Sequence, residues 1–321
     1  MKKMGIIILI IILIIFVVTL CNILMFAIQN KGWNWFMSFG DLSDLSDLRK
    51  EEHIQKEQLI SLFDLEKVSL EFKSSDVNVF FTEDSEIRVV QYSYKELDEG
   101  LLFNVNKTGK HITISESNKP RFFLFCIGFM NQTVYDVYIP KEYKESLSIR
   151  AVSGDIEVND NLKFEDLTIS STSGDIKMAD VDAKSIKIES ISGDIKLQHL
   201  TDEDLKLKTV SGDIRVESVK GKIEAKTTSG NIEIKELEGN GELTSVSGDI
   251  KSDDFKVTGD SRVKTTSGNV RMYLNKDSNC EIQTKSVSGN VTLPNRRNVM
   301  GIEPYAELNI ETVSGNIRLE K

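Results

Sequence analysis

Residues 205–216 read LKLKTVSGDIRV and combine two local patterns. Leucine alternates with lysine at first, which is typical of a β-strand that buries one face. A Ser-Gly-Asp turn signal then interrupts the alternation, and Ile214 and Val216 resume it. The stretch therefore predicts two short strand segments joined by a sharp turn.

The same Ser-Gly-Asp or Ser-Gly-Asn phrase recurs nine times along the chain. Its glycines are Gly154, Gly174, Gly193, Gly212, Gly230, Gly248, Gly268, Gly289 and Gly315. Successive glycines are 20, 19, 19, 18, 18, 20, 21 and 26 residues apart. Such a period predicts a solenoid, in which each repeat packs only against its neighbours. The segment KSSDVNV, with Ser75 in the place of the glycine, is interpreted as a degenerate earlier copy.

Aligning the copies on the glycine predicts which positions face the interior. The residues seven and five places before it are mostly apolar, the third before it is Ala, Ser or Thr, and the one before it is always Ser. These alternate positions share one face of a strand. Apolar residues return two and four places after the glycine, so the chain must bend if both segments face one interior. Glycine is expected to supply unusual backbone angles, and Asp or Asn to hydrogen-bond its own turn.

The predicted fold is all-β, a single-stranded β-solenoid (β-helix) over residues 142–321 with about nine rungs of about 19 residues. An isolated rung would expose its apolar face, so only stacking gives a continuous core. Residues 63–141 are predicted to form an irregular β region that begins and caps the solenoid. Within it, the apolar run at 121–130 is interpreted as a buried strand or as a loop that dips into a membrane.

The N-terminal segment is predicted to be a transmembrane helix. Residues 4–30 carry no charge and consist mainly of Ile, Leu, Val and Phe, which is long enough to cross a bilayer. A cleaved signal peptide would have a shorter apolar core followed by small residues. Because lysines precede the span, residues 1–3 are expected in the cytoplasm and the body outside the cell, anchored by a single pass. Residues 31–62 are predicted to be a juxtamembrane linker that can form a short helix.

Composition argues against several classes of function. The formal net charge of −10 disfavours a nucleic-acid partner. The three cysteines lack paired spacing, so neither a disulfide framework nor a zinc site is predicted. The three histidines are isolated from one another, which disfavours a histidine-based catalytic group. The chain is therefore predicted to be non-enzymatic and to hold no cofactor.

The aspartates that follow the turn glycines are the strongest candidate ligands in the sequence. Asp155, Asp175, Asp194, Asp213 and Asp249 would stack in one column, and stacked carboxylates could collect calcium. Aspartate is also an ordinary turn residue, and exposed charges about 5 Å apart repel by only about 0.8 kcal/mol in water. Turn chemistry is therefore the favoured interpretation, with calcium as the alternative.

The expected partners are the bilayer, through the N-terminal helix, and an envelope protein or wall polymer. Two alternatives remain open. An uncapped end of the solenoid could recruit another copy, which would give an end-to-end scaffold. A β-helical enzyme acting on polysaccharide would need clustered carboxylates in a groove, and no rung is chemically distinct in that way.

The segment VYIPKEYKESLSIRAVSGDIEV at residues 137–158, with the SGDI and SGNI phrases after it, resembles a bacterial family of β-strand-repeat "putative adhesin" proteins. This family includes the LiaG-type proteins encoded with cell-envelope stress systems. The resemblance covers residues 63–321. It implies a β-solenoid on the outer face of the membrane, no catalytic residues, and an accessory role in envelope-stress sensing.

Overall fold

The structure is a computed structural model, and it describes residues 53–93, 96–117, 133–159, 162–294 and 306–321. The predicted transmembrane helix at 4–30 and the apolar run at 121–130 lie outside these residues. Within the described ranges, no helix has the length and apolar character needed to cross a membrane. The regular structure there is β-strand, apart from one 3₁₀ turn at Glu99–Leu101, so the all-β prediction is confirmed.

The described residues form one sheet of 22 strands. The strands are β1 His53–Ser61, β2 Lys67–Glu71, β3 Asp76–Thr82, β4 Glu86–Ser93, β5 Asn104–Thr108, β6 His111–Ser115, β7 Thr133–Pro140, β8 Ser146–Arg150, β9 Ile156–Val158, β10 Leu162–Ser171, β11 Ile176–Met178, β12 Val181–Ser190, β13 Ile195–Lys208, β14 Ile214–Thr227, β15 Ile232–Ser245, β16 Ile250–Val257, β17 Ser261–Ser267, β18 Val270–Leu274, β19 Cys280–Ser288, β20 Val291–Thr292, β21 Ala306–Ser314 and β22 Ile317–Glu320.

Two parallel ladders run along the stack, one on each side of the repeated turn. The segments before the turn pair in the order β6–β2–β8–β10–β12–β13–β14–β15–β17–β21–β19. The segments after it pair in the order β7–β3–β9–β11–β13–β14–β15–β16–β18–β22–β20. Successive copies of the repeat therefore lie on one another, which is the stacking that a solenoid requires.

The core lies inside the stack because equivalent inward positions stay in register. Ile188 pairs with Leu207, Leu207 with Ala225, and Ala225 with Leu243, and all four are buried. A third inward position, seven residues after the glycine, was not predicted. Leu200, Val219, Leu237 and Phe255 occupy it and are buried. This position is three residues beyond the inward position four after the glycine. Because side chains alternate along a straight strand, both can face inward only if the chain turns between them, so each of these rungs has a second corner.

The N-terminal part of the body is more regular than predicted. Strands β2 and β3 form a complete rung directly before β8 and β9, with Ser75 in the glycine position. Strands β6 and β7 add one further level. Antiparallel strands then cover this end, because β5 pairs with β6, β4 with β7, and β1 with β4.

Strand β1 overturns part of one prediction. Residues 53–61 lie in the segment expected to be a linker with a short helix, yet they pair with β4 in antiparallel register. The leucines spaced three apart that favoured a helix lie earlier, at 42–48. Residues 53–61, which follow these leucines, instead form hydrogen bonds with the edge of β4. Ile60 is the only buried residue of this strand.

The order of the rungs in space departs from their order in the chain at the C-terminal end. Strands β21 and β22 lie between β17–β18 and β19–β20. The outermost level at this end is therefore β19–β20, although β21–β22 comes later in the sequence. The longest interval between turn glycines, 26 residues from Gly289 to Gly315, contains this reversal.

Candidate functional site

The nine Ser-Gly-Asp/Asn turns stack along one corner of the body, and we call this column the turn file. Its glycines lie directly over one another. A Cβ built on Gly174 would lie 1.9 Å from the carbonyl oxygen of Gly154, and one on Gly193 would lie 2.0 Å from that of Gly174. No real Cβ tolerates such a contact, so the close approach of neighbouring rungs requires glycine.

The reason for glycine differs from the one expected. Among the described glycines, positive φ values occur at Gly109, Gly221, Gly239 and Gly315, so eight of the nine turn glycines do not have the positive φ that favours glycine. The bend itself lies earlier in the phrase. The serine before each glycine is exposed, whereas the residue three before it is buried in eight of the nine copies, as Ser192 and Ser190 illustrate. The prediction that both serines face the interior is therefore wrong for the later one.

The buried hydroxyl three residues before the glycine holds two turns together. The Thr227 Oγ1 accepts a hydrogen bond from the Gly230 N–H at 3.1 Å and donates one to the Gly212 carbonyl of the preceding rung at 3.2 Å. Equivalent hydroxyls reach the preceding glycine carbonyl from Thr209, Ser245, Thr265, Thr312 and Ser286. These polar groups are satisfied within the corner, which is why small hydroxyl residues suit it.

The Asp and Asn side chains form a second chain of bonds, which we call the Asx ladder. In each rung except the outermost one, at Asn290, the Oδ1 atom accepts a hydrogen bond from the backbone N–H of the corresponding residue in the next rung. The donor and acceptor pairs are Asp155 to Asp76, Asp175 to Asp155, Asp194 to Asp175, Asp213 to Asp194, Asn231 to Asp213, Asp249 to Asn231, Asn269 to Asp249, Asn316 to Asn269 and Asn290 to Asn316, at 2.7–3.0 Å. An amide oxygen accepts as a carboxylate does, so Asn and Asp can interchange.

A glutamate occupies the N-terminal end of the turn file. The Glu116 carboxylate is buried and accepts hydrogen bonds from the backbone N–H groups of Lys73 and Ser74, at 2.7 and 3.2 Å, and from the Ser75 hydroxyl. These are groups that another rung would otherwise satisfy. Within the described residues, Glu116 therefore accepts the hydrogen bonds of these turn groups on that side.

Basic side chains neutralise part of the aspartate column. The Lys196 Nζ lies 3.3 Å from carboxylate oxygens of both Asp175 and Asp194, and Arg215 contacts Asp194 and Asp213. Burial by itself would raise the pKa of the Asp194 carboxyl. The hydrogen bond from the Asp213 N–H, followed by Arg215 and Lys196, outweighs burial and lowers that pKa overall.

We expect Asp194→Ala to cost about 1–3 kcal/mol of the free energy of unfolding, because the part-buried N–H of Asp213 loses its acceptor. Asp194→Asn keeps an accepting oxygen and should cost less than half as much. Urea denaturation at pH 7 measures both variants. Equal losses would contradict the Asx ladder as the main role of this side chain.

The lowered pKa of Asp194 also predicts a pH dependence. A carboxyl whose pKa is lower in the folded state stabilises the fold above its ordinary value of 3.8, and the stabilisation disappears as the pH falls through the folded value. The stability difference between wild type and Asp194→Asn should therefore shrink when the pH is lowered from 7 to 3. If the stability difference between the two proteins stayed constant over that range, the ion pairs of Asp194 with Arg215 and Lys196 would not stabilise the fold.

The five aspartates considered as calcium ligands lie in one column, but their carboxylate oxygens already have hydrogen-bond or ion-pair partners. Each Oδ1 accepts from the next rung, and the Oδ2 atoms of Asp175 and Asp194 face Lys196. Across the described ranges, no group of three or more His, Cys, Asp or Glu side chains converges as a metal site would. Turn chemistry accounts for the aspartates without a metal.

The residue two before each glycine forms an exposed column that the sequence analysis did not identify. We call it the ridge, and in stacking order it consists of Val152, Thr172, Ile191, Val210, Thr228, Val246, Thr266, Val313 and Val287. All nine are β-branched and exposed, with fractions of 41% at Val210 and 51% at Ile191. The signal was visible in the alignment, because this position never holds a charged residue in the nine copies.

A row of exposed serine hydroxyls runs beside the ridge. The Ser153 Oγ donates to the Lys73 carbonyl at 3.2 Å, and the Ser173 Oγ to the Val152 carbonyl at 3.1 Å. The Asx ladder lies on the other side of the glycines. Aliphatic, hydroxyl and carboxylate groups thus repeat side by side at the spacing of the rungs, about 4.8 Å.

A shallow groove of about 440 Å³ lies away from the turn file. Its lining includes Lys144, Phe164, Glu165, Asp182 and Ala183. The acidic side chains there already pair with lysines, Glu165 with Lys184 at 2.7 Å and Asp182 with Lys163 at 3.0 Å. These exposed ion pairs make an ordinary solvated surface.

Comparison with known proteins agrees with this architecture. The sequence model of the Toastrack DUF4097 family matches residues 65–236 and 223–320. The comparison with curated protein sequences finds no relative.

Solved structures share the fold at low sequence identity. A "putative adhesin" from Parabacteroides distasonis ATCC 8503 is 11% identical, with 82% of this chain and 96% of that chain covered and a TM-score of 0.52. Another, from Parabacteroides merdae ATCC 43184, is 14% identical, with 83% and 96% covered and a TM-score of 0.50. At these identities the likeness concerns the fold alone.

Proposed function

The chain belongs to the Toastrack DUF4097 family, and we propose that it is a non-catalytic binding protein of the cell envelope. In this proposal residues 4–30 anchor it in the membrane and the stack lies outside the cell. The resemblance to LiaG-type proteins supports an accessory role in the response to envelope stress. The turn file presents the binding surface.

The ridge is the observation that carries the proposal. Exposed apolar side chains are ordinary when scattered, but a file in which six Val or Ile side chains are joined by three Thr methyl groups is typical of an interaction site. β-Branched side chains are stiff at χ1, so they lose little conformational entropy when a ligand covers them. The repeated rows of methyl and hydroxyl groups suit an extended ligand that lies along the stack, such as a wall polymer or an extended segment of an envelope protein.

The alternative of a polysaccharide-active enzyme has less support. Such an enzyme needs two carboxyl groups that face each other across a substrate. The turn-file carboxylates instead accept backbone hydrogen bonds from the next rung, and Asp194 has a pKa below its usual value, which suits a permanent anion and not a general acid.

A photo-cross-linking amino acid at Val210 tests the proposal in intact cells. We expect Val210 to give a cross-linked adduct because the ridge contacts the ligand. The matched control places the same amino acid at Gln198, which is exposed at the second corner of the same rung. Adducts of equal yield at both positions, or at neither, would refute the ridge as the binding surface.

A further inference from the structure

The two ends of the stack differ in how their outermost strands are covered. At the N-terminal end, β6 and β7 carry antiparallel partners, β5 and β4. At the other end, β19 pairs with β21 and β20 with β22, and no other strand in the described ranges pairs with either. One edge of this outermost rung therefore presents unpaired backbone groups, which readily pair with another strand.

The interior is also incompletely covered at this end. Cys280, Ile282 and Thr284 occupy inward positions of β19, in register with Ala306, Leu308 and Ile310. Those three partners are at most 5% exposed, whereas the β19 residues are only half-buried. Val291 and Leu293 nearby are 42% and 45% exposed. An occupant of this edge would bury apolar surface as well as complete backbone hydrogen bonds.

We propose that the occupant is a second copy of the chain, whose β19 pairs antiparallel with this β19 about a two-fold axis at Gln283. In this register Glu281 of each copy lies opposite Lys285 of the other, so the dimer gains two pairs of opposite charge. Ile282 of each copy lies opposite Thr284 of the other, and both residues occupy inward positions. Because side chains alternate with a period of two, inward residues of one copy continue the core of the other.

Such a contact closes on itself. Each copy uses the same strand, so the interface is isologous and leaves no further β19 edge free. The opposite ends, covered by antiparallel strands, cannot repeat the contact. The assembly is therefore a dimer and not a filament, which distinguishes it from end-to-end polymerisation. This inference does not depend on the proposed function, because it uses the backbone edge of β19, a strand that contributes only Val287 to the ridge.

Sedimentation of the full chain in detergent micelles tests the dimer through its charges. Glu281→Lys or Lys285→Glu would place like charges opposite each other twice, and should raise the dissociation constant of the dimer about tenfold. The double variant with both substitutions restores opposite charges and should return it to the wild-type value. All these positions are exposed, so the variants should fold.

Three sedimentation outcomes would overturn the proposal. A wild-type chain that is monomeric at all concentrations would indicate that this edge is free or covered by the chain's own residues 295–305. A dimer unaffected by the single substitutions would place the contact elsewhere. A double variant as weak as the single ones would rule out pairing of Glu281 with Lys285.

Cross-linking tests the register independently. In a chain whose native cysteines are replaced by serine, Gln283→Cys should form a disulfide between copies, because the two-fold axis passes through this residue. The control is Lys187→Cys, which is exposed on an interior rung. Equal cross-linking of the two variants, or none at 283, would refute the antiparallel register.

Discussion

The Gly193→Ala variant is expected to lose about 3–5 kcal/mol of the free energy of unfolding, in the range of the most damaging single substitutions. The added Cβ would lie 2.0 Å from the Gly174 carbonyl oxygen and 2.6 Å from its carbon. Both atoms belong to the backbone of the neighbouring rung, so neither can rotate away. The rungs must separate, which weakens the hydrogen bonds between the turns. Urea denaturation monitored by far-UV circular dichroism measures the loss.

Gly109→Ala is the matched control, because it isolates the effect of backbone conformation. Gly109 has a φ of +60°, and no atom lies within 4 Å of a Cβ built on it. This variant should lose only about 1–2 kcal/mol, the cost of a left-handed conformation for an L-residue. If Gly193→Ala were no worse than Gly109→Ala, the close stacking of the glycines would be wrong.

Deleting residues 306–321 is expected to remove two rungs and not one. Strands β21 and β22 supply the only neighbours of β19 and β20 in the described part of the chain. Without β21 and β22, β19 and β20 lose the strands with which they form backbone hydrogen bonds. Hydrogen exchange followed by mass spectrometry should show that amides across residues 280–292 lose protection together, while those of β13 to β15 keep theirs.

A chain that lacks only Lys321 provides the control, because every strand remains. It should retain the protection of residues 280–292. Continued protection of β19 after the larger deletion would mean that it can dock directly on β17, and the observed order of the rungs would then not be needed for its stability.

The period and the position of the glycines were sufficient to predict the stacked β architecture. Each rung contributes the same inward residues, so alternation within one copy, such as Leu205 and Leu207, already indicates the buried face. The direction of the serine before the glycine was not predictable in this way. Alternation assumes an extended strand, and in six of the nine copies, as at Ser211, the chain has left that conformation before it reaches this serine.

The arrangement at the C-terminal end was also beyond sequence reasoning. The copies around Gly289 and Gly315 carry the same turn phrase, and of the paired inward residues of β19 and β21 only Thr284 and Ile310 differ in polarity. The turn signal therefore does not determine which copy packs on β17. The choice depends on long-range packing and on the length of the connection. The ridge was not predictable for a different reason: its residues face outward, and the pattern of buried positions carries no information about them.

The equivalence of the turns means that the stack can change in length by genetic duplication. The Asx ladder offers one acceptor upward and one donor downward at every level, so an inserted copy of about 19 residues would meet the same bonding groups as its neighbours. Each such insertion would extend the surface by about 4.8 Å without redesign of the core. The length of the binding surface and the number of its contact points could thus change by one repeat at a time.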